Sequence, residues 1–313
     1  MPSILQSALH PAGPAAESIS DLWWLMFWTC TVVYVLVMGT LVLAVRRRRT
    51  GREAATQRTL LRSVVGASAA TFVILFGLLV ASVVTGRAIG SIGSAEGLVV
   101  EVTGNQWWWD IEYHNPDPSL RVRTANELHL PIGRQVRIQM KSNDVIHSFW
   151  VPNLHGKMDL IPGRQTALWV QADRPGIYRG QCAEYCGLQH AHMAFSVIAE
   201  SPDDFERWLT AQRRTAPPPA SPEQQRGRDL VERGSCAMCH AVRGTAAGGR
   251  TAPDLTHIAT RSTIAAGTAP NTRGYLAGWI ADPQHLKPGA KMPATGLSAE
   301  ELQAVLAYLE TLK

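Results

Sequence analysis

Charge is absent from two stretches of this 313-residue chain. Residues 22–45 and 63–86 contain no Asp, Glu, Lys or Arg. Each run is 24 residues long, and a bilayer needs about 20. A buried core helix would also read as apolar, but two equal runs flanking an Arg-rich loop point to a membrane-spanning pair. Histidine is missing from both runs as well, which excludes an imidazole-ligated centre inside them. Elsewhere the chain has little net charge. Residues 46–62 hold seven Arg and one Glu, a net +6, while the whole chain carries +5. The remainder is therefore −1, and no basic nucleic-acid face is implied. The Arg loop belongs on the cytoplasmic side, which places the N-terminus and everything after residue 87 outside. The first 21 residues lack the charged start and small-residue cleavage site of a signal peptide.

Cysteine is scarce, at five residues. Cys30 is alone in an apolar run and reads as a small hydrophobe. The other four form two short motifs. Cys182-Ala-Glu184-Tyr-Cys186-Gly-Leu-Gln-His190-Ala-His192-Met193 puts two thiols, two imidazoles and a thioether within twelve residues. Soft sulfur with imidazole is a copper ligand set. A second cysteine lets two coppers share both thiolates. The expectation is a binuclear centre with Cys182 and Cys186 bridging, His147 and His190 as one imidazole per copper, and Met193 as a weak axial ligand. The backbone carbonyl of Glu184 would serve the other copper. His192 competes with His190, but on a loop it points away from both neighbours and is assigned to the surface. A disulfide between Cys182 and Cys186 is the alternative, and it leaves Glu184, His190 and Met193 without a role. His114, His129 and His155 read as surface or core histidines, and Met140 and Met158 as packing residues. Because every ligand position is filled, the site is expected to relay electrons and not to bind substrate.

The second motif, Cys236-Ala-Met-Cys239-His240, is the string of covalent c-type haem attachment, with His240 as the proximal iron ligand. A thioredoxin-like use of the pair is disfavoured, because no βαβ pattern surrounds it. For the sixth iron position the only downstream methionine is Met292, in a Gly/Pro loop, with His257 and His285 as competitors. A methionine there raises the reduction potential.

Between the membrane runs and the haem motif, short β-branched stretches alternate with turns: residues 98–102, 107–113, 120–124, 127–130, 135–140, 167–171, 176–179 and 194–198. That spacing predicts a β-sandwich or barrel, with His147 at the end of a strand-like run. Residues 201–209 predict a short helix, residues 215–222 a stiff Pro-rich linker, and residues 298–312 an amphipathic helix. The expected domains are residues 1–96, 97–209, a linker at 210–222, and 223–313.

Several tracts together resemble subunit II of haem–copper cytochrome c oxidases: Gly104-Asn-Gln-Trp107-Trp-Trp109, Asn143-Asp-Val-Ile-His147, Asp159-Leu-Ile-Pro-Gly-Arg164 and Arg174 through Met193. The fused haem segment resembles the caa3-type version. The resemblance implies a multidomain fold: a two-helix transmembrane hairpin, an all-β cupredoxin-like barrel, and an all-α class I cytochrome c domain. It implies copper A and haem c as cofactors. Electrons then reach the oxygen-reducing centre of subunit I, coupled to proton translocation. It matches Trp107 to the aromatic through which electrons arrive, and Glu184 to a residue reaching a magnesium ion at the subunit I interface. It implies subunits I and III, cytochrome c or another periplasmic donor, and the membrane as partners, with no nucleic acid. The expected location is the bacterial inner membrane, as a multi-pass protein. One feature departs from the family. Many members carry a Glu at the start of the second helix, where protons are taken up. Here that stretch is Arg58-Thr-Leu-Leu-Arg62, with Glu53 the nearest carboxylate.

Overall fold

The computed structural model describes residues 6–49, 56–91 and 97–313, so the Glu53 expectation lies outside the described residues. Two long helices come first, α1 (Pro14–Arg49) and α2 (Gln57–Ser91). Both extend beyond the charge-free runs, because the helix continues through polar flanks that the apolar pattern does not mark. At 1.5 Å per residue, each is longer than the roughly 30 Å of a hydrocarbon core. Their apolar side chains, among them Trp28, Leu36, Phe72 and Phe76, are exposed, as expected of segments covered by lipid. The helices from Glu17 form one compact unit. Residues 6–16 belong with the rest of the chain as the other. The N-terminal segment is tied to that second unit by Ala12 N–H donating to the Asn153 carbonyl (2.7 Å) and Asp173 N–H donating to the Ala12 carbonyl (2.8 Å).

Ten strands follow: β1 (Leu98–Asn105), β2 (Trp108–Tyr113), β3 (Val122–Ala125), β4 (Glu127–Pro131), β5 (Val136–Ser142), β6 (His147–Trp150), β7 (Met158–Leu160), β8 (Thr166–Val170), β9 (Gly176–Cys182) and β10 (Ala194–Glu200). The expected barrel is made of two five-stranded sheets, ordered β3-β2-β1-β5-β8 and β4-β10-β9-β6-β7, the cupredoxin-like arrangement. Most neighbours are antiparallel, but β1 runs parallel to β5 and β10 parallel to β4. The alternation of β2, buried at Trp109, Ile111 and Tyr113, shows how period-two patterning turns one face inward. These side chains meet Ile138, Phe149, Leu154, Phe195 and Val197 in a single core. Each such burial contributes roughly 1.5–3 kcal/mol. Strands β6 and β7 are too short to register as periodic runs. As a result His147 begins a strand, where the sequence suggested that it ends one. A helix α3 (Pro202–Gln212) is capped by Ser201, whose hydroxyl accepts from Asp204 N–H. It buries Phe205 and Leu209, and its Trp208 ring stacks on His129 at 3.9 Å.

The C-terminal domain is helical: α4 (Pro222–Arg233), α5 (Cys236–Cys239), α6 (Arg273–Ala281), α7 (Pro283–Leu286) and α8 (Ala299–Leu309). A capping box between Ser298 and Glu301 starts α8, and α8 packs on α4 around Val231, Val305 and Leu306. One element departs from an all-α expectation. A two-stranded ribbon, β11 (Thr263–Ile264) and β12 (Ala269–Pro270), is closed by a left-handed turn at residues 265–267. The Pro-rich linker is not a free spacer. Ala216 N–H donates to the Arg243 carbonyl (3.0 Å), and the Arg243 guanidinium donates to the carbonyls of Arg213 and Arg121.

Candidate metal centres

Cys182 is the last residue of β9. The ladder to β10 closes behind it, with Ala194 opposite Gln181 and Cys182 N–H donating to the Met193 carbonyl (2.9 Å). The loop between them therefore starts and ends at one point. Within it, a short turn at His190–His192 follows a His190 N–H bond to the Gly187 carbonyl. On the neighbouring strand β6, Phe149 pairs with Cys182. His147 thus lies beside the same sulfur, although 35 residues separate the two in sequence.

The result is a compact group. The two sulfurs are 3.7 Å apart, and both cysteines are free. His147 Nδ1 is 3.8 Å from Cys182 Sγ. His190 Nδ1 is 3.5 Å from Cys186 Sγ. Met193 Sδ is 3.8 Å from Cys186 Sγ, and the Glu184 carbonyl is 3.2 Å from Cys182 Sγ. His147, Cys182, Cys186 and Met193 are buried, and the first three form the one metal-competent cluster among the described residues. His192 is exposed and its ring bonds Gln189. Met140 is buried in the core, and Met158 packs against it.

Several neighbours set this geometry. Asp144 accepts a hydrogen bond from His147 Nε2 (2.8 Å), which fixes the tautomer and turns the Nδ1 lone pair toward the sulfurs. Gly104 on β1 makes room for the ring, because a Cβ there would sit 2.7 Å from His147 Cδ2. The Trp107 indole N–H (3.0 Å) and the Gln106 amide (2.8 Å) both donate to the Cys186 carbonyl. No hydrogen bond joins Trp108 to the loop among the described residues.

The electrostatics fit a cation. The hydrogen bond from Cys186, with help from His147, holds the Cys182 thiol down at about 3. The same bond and burial push the Cys186 thiol far up. Without positive charge, then, the two sulfurs share one proton, and a metal would replace it. Burial opposes protonation of His147, yet its bonds to Cys182 and Asp144 raise its pKa. The Glu184 carboxylate faces Lys157 at 3.3 Å and has no further acidic or imidazole ligand grouped with it among the described residues.

In the helical domain, Cys236 and Cys239 bracket α5 and His240 caps it. His240 Nδ1 donates to the Pro253 carbonyl (2.6 Å), which leaves Nε2 as a free lone pair. Burial lowers the His240 pKa, so the ring is neutral, as iron ligation needs. Met292 is half-buried in the loop between α7 and α8, and its carbonyl accepts from Gln284 (3.3 Å). His257 is buried and bonded through Nε2 to the Gln212 carbonyl, while His285 lies on α7. These residues suit a covalently held haem.

Sequence reasoning missed Asp144, Gln106 and Lys287. The spacing Asp144-Val-Ile-His147 was a readable signal for the first. Lys287 lies in a Lys287-Pro-Gly-Ala-Lys-Met292 tract that resembles the family's haem domain, but nothing signalled its contacts, because its partners come from three distant segments.

Two family models match the chain: "Cytochrome C oxidase subunit II, periplasmic domain" over residues 119–200 and "Cytochrome c" over residues 224–313. The cytochrome c oxidase subunit 2 of Alkalihalophilus pseudofirmus is 33% identical over 317 residues, covering 98% of this chain and 91% of that protein. The subunit 2 of Bacillus subtilis is 33% identical over 229 residues, covering 70% of this chain and 63% of that protein. The solved periplasmic domain of subunit II of a Bradyrhizobium japonicum cytochrome oxidase is 30% identical. It covers 38% of this chain and 96% of its own, with a TM-score of 0.35. With two apolar helices, a cupredoxin-like sandwich and a helical haem-type domain joined in one polypeptide, the chain belongs to the cytochrome c oxidase subunit 2 family and is a membrane-anchored part of an oxygen-reducing oxidase.

Proposed function

We propose that this subunit receives electrons through a covalently bound haem c and a binuclear copper A centre. It then passes them to the haem/copper oxygen-reducing centre of subunit I, with proton translocation coupled to that reduction. The observation that carries this reading is the buried sulfur pair 3.7 Å apart with one imidazole Nδ1 beside each sulfur. When bound, the two coppers and the haem supply reversible one-electron chemistry. His147, Cys182, Cys186, His190, Met193 and the Glu184 carbonyl would hold the coppers. Cys236 and Cys239 would form the thioether bonds, with His240 and Met292 on the iron.

The protein's own part is to keep these groups still. Asp144 locks the His147 ring, Trp107 and Gln106 hold the Cys186 carbonyl, and burial keeps water out. A site that does not move between oxidation states transfers electrons with little reorganisation. Trp107, bonded to the Cys186 carbonyl, is the side chain that joins the copper loop to the surface where electrons arrive. The Glu184 carboxylate, alone in this chain, would supply one ligand of a magnesium ion shared with subunit I. Both soluble domains are assigned to the periplasmic side of a bacterial inner membrane, beside subunits I and III and a periplasmic donor such as cytochrome c.

Metal analysis of the purified full-length chain tests the reading. Two coppers per haem are expected, and one copper per haem would reject the shared-sulfur centre. Recovery of a large haem-bearing membrane subunit in a pull-down separates an oxidase subunit from a free-standing carrier.

A further inference from the structure

The haem domain touches the copper domain through a buried lysine. Lys287 is 2% exposed. Its ammonium donates to the carbonyls of Trp107 (2.8 Å), His192 (2.7 Å) and Ala265 (2.8 Å). An ammonium has three N–H donors, and here each finds a carbonyl from a different segment. Trp107 itself bonds the Cys186 carbonyl, and His192 precedes Met193, so two of the three contacts end one step from copper-ligand candidates. The third lies in the haem domain.

That third carbonyl belongs to an unusual turn. Ala265, Ala266 and Gly267 have φ of 54°, 60° and 77°, a left-handed run that alanine adopts only when its surroundings enforce it. The turn offers the Ala265 carbonyl to Lys287 and the Ala266 carbonyl to Ala194 N–H (3.0 Å), immediately after Met193. The residues following Lys287 continue the seam. The Pro288 carbonyl accepts from Gln189 (2.8 Å). Gly289 comes so close that a Cβ would lie 2.9 Å from Leu188 and 3.6 Å from the Trp107 ring. Lys291 pairs with Asp144 at 3.1 Å. Burial pulls the Lys287 pKa down to about 7, and no carboxylate pairs with it among the described residues. The lysine therefore stays buried for its three hydrogen bonds and not for an ion pair.

We propose that Lys287 is a positioning residue for electron transfer within the chain. It fixes the Met292 loop of the haem domain on the Trp107 face of the copper domain, which makes haem-to-copper transfer internal and closes Trp107 to outside donors. This rests on the haem and copper reading above.

Lys287→Met, in the full chain assembled with its oxidase, keeps the volume and removes all three donors. With copper content, haem content and both spectra unchanged, photo-initiated haem-to-copper transfer is expected to slow by about tenfold, as a misplaced reacting pair does. The kcat falls with it, KM for a soluble donor stays constant, and Lys287→Arg restores part of the rate. An unchanged transfer rate in Lys287→Met, with both cofactors present, overturns the inference. If the unaltered chain lacks haem or holds fewer than two coppers, the underlying reading fails instead. If Lys287→Met does not accumulate, Lys291→Ala is measured, which removes the exposed ion pair at the same seam. Slower transfer that no longer responds to added salt supports the proposal, and the wild-type rate at all salt concentrations overturns it.

Discussion

The two candidate metal centres are built in opposite ways. The haem motif is local: Cys236, Cys239 and His240 are nearly consecutive, on and just after one turn of helix, with Met238 72% exposed beside them. The copper group is assembled from β6, the end of β9 and the loop before β10. It sits where the ends of β6 and β9 meet the loop before β10, with His147 fully buried. A centre held by covalent bonds tolerates a loose, exposed surround. One held by weak ligands at several points needs a scaffold that fixes each ligand before the metal arrives.

That contrast can be broken directly. Cys186→Ser removes one of the two sulfurs proposed to be shared, and oxidase turnover with a soluble donor is expected to vanish while covalent haem content stays at the wild-type level. Loss of haem in the same variant would mean that the two centres fold as one. Met292→Ala probes the one distant part of the haem site. The haem remains attached, but its potential drops by on the order of 100 mV, within the roughly 0.8 V range set by axial ligands. The iron then binds added imidazole, read by redox titration and the visible spectrum; an unchanged spectrum would move the sixth ligand to a histidine.

A finer test is Asp144→Asn, which keeps the side-chain shape and weakens the hold on the His147 ring. Copper affinity is expected to fall about 10- to 100-fold, measured by competition with a chelator, with no change at the haem. Gly104→Ala should cost a similar amount, taken from stability. Its methyl meets His147 Cδ2, an overpacking cost of roughly 1–3 kcal/mol, visible as a lower melting temperature of the copper domain alone.

Much of this was legible in the sequence for reasons tied to distance along the chain. The Cys236-x-x-Cys239-His240 string and the charge-free runs are local patterns whose chemistry does not depend on what packs against them. The loop from Cys182 to Met193 is nearly so, because β9 and β10 pair around it and bring its ends together. His147 was nominated from its surroundings in sequence, yet its place beside Cys182 depends on the pairing of β6 with β9, and β6 is too short to show a period. The resemblance picks Trp107, but residue type alone does not separate it from Trp108 in a run of three tryptophans. In the fold, the alternation of β2 sends Trp109 into the core, and the turn before it brings the Trp107 indole to the Cys186 carbonyl.

Residue type and spacing by themselves determined the membrane helices, the haem attachment string and the soft-metal character of the cysteine loop, since each is a property of neighbouring residues. Only the tertiary structure decided which imidazole faces which sulfur, and that Lys287 joins the two soluble domains. Those contacts depend on sheet register and domain docking, where groups far apart in sequence come within hydrogen-bonding distance only after the core has formed.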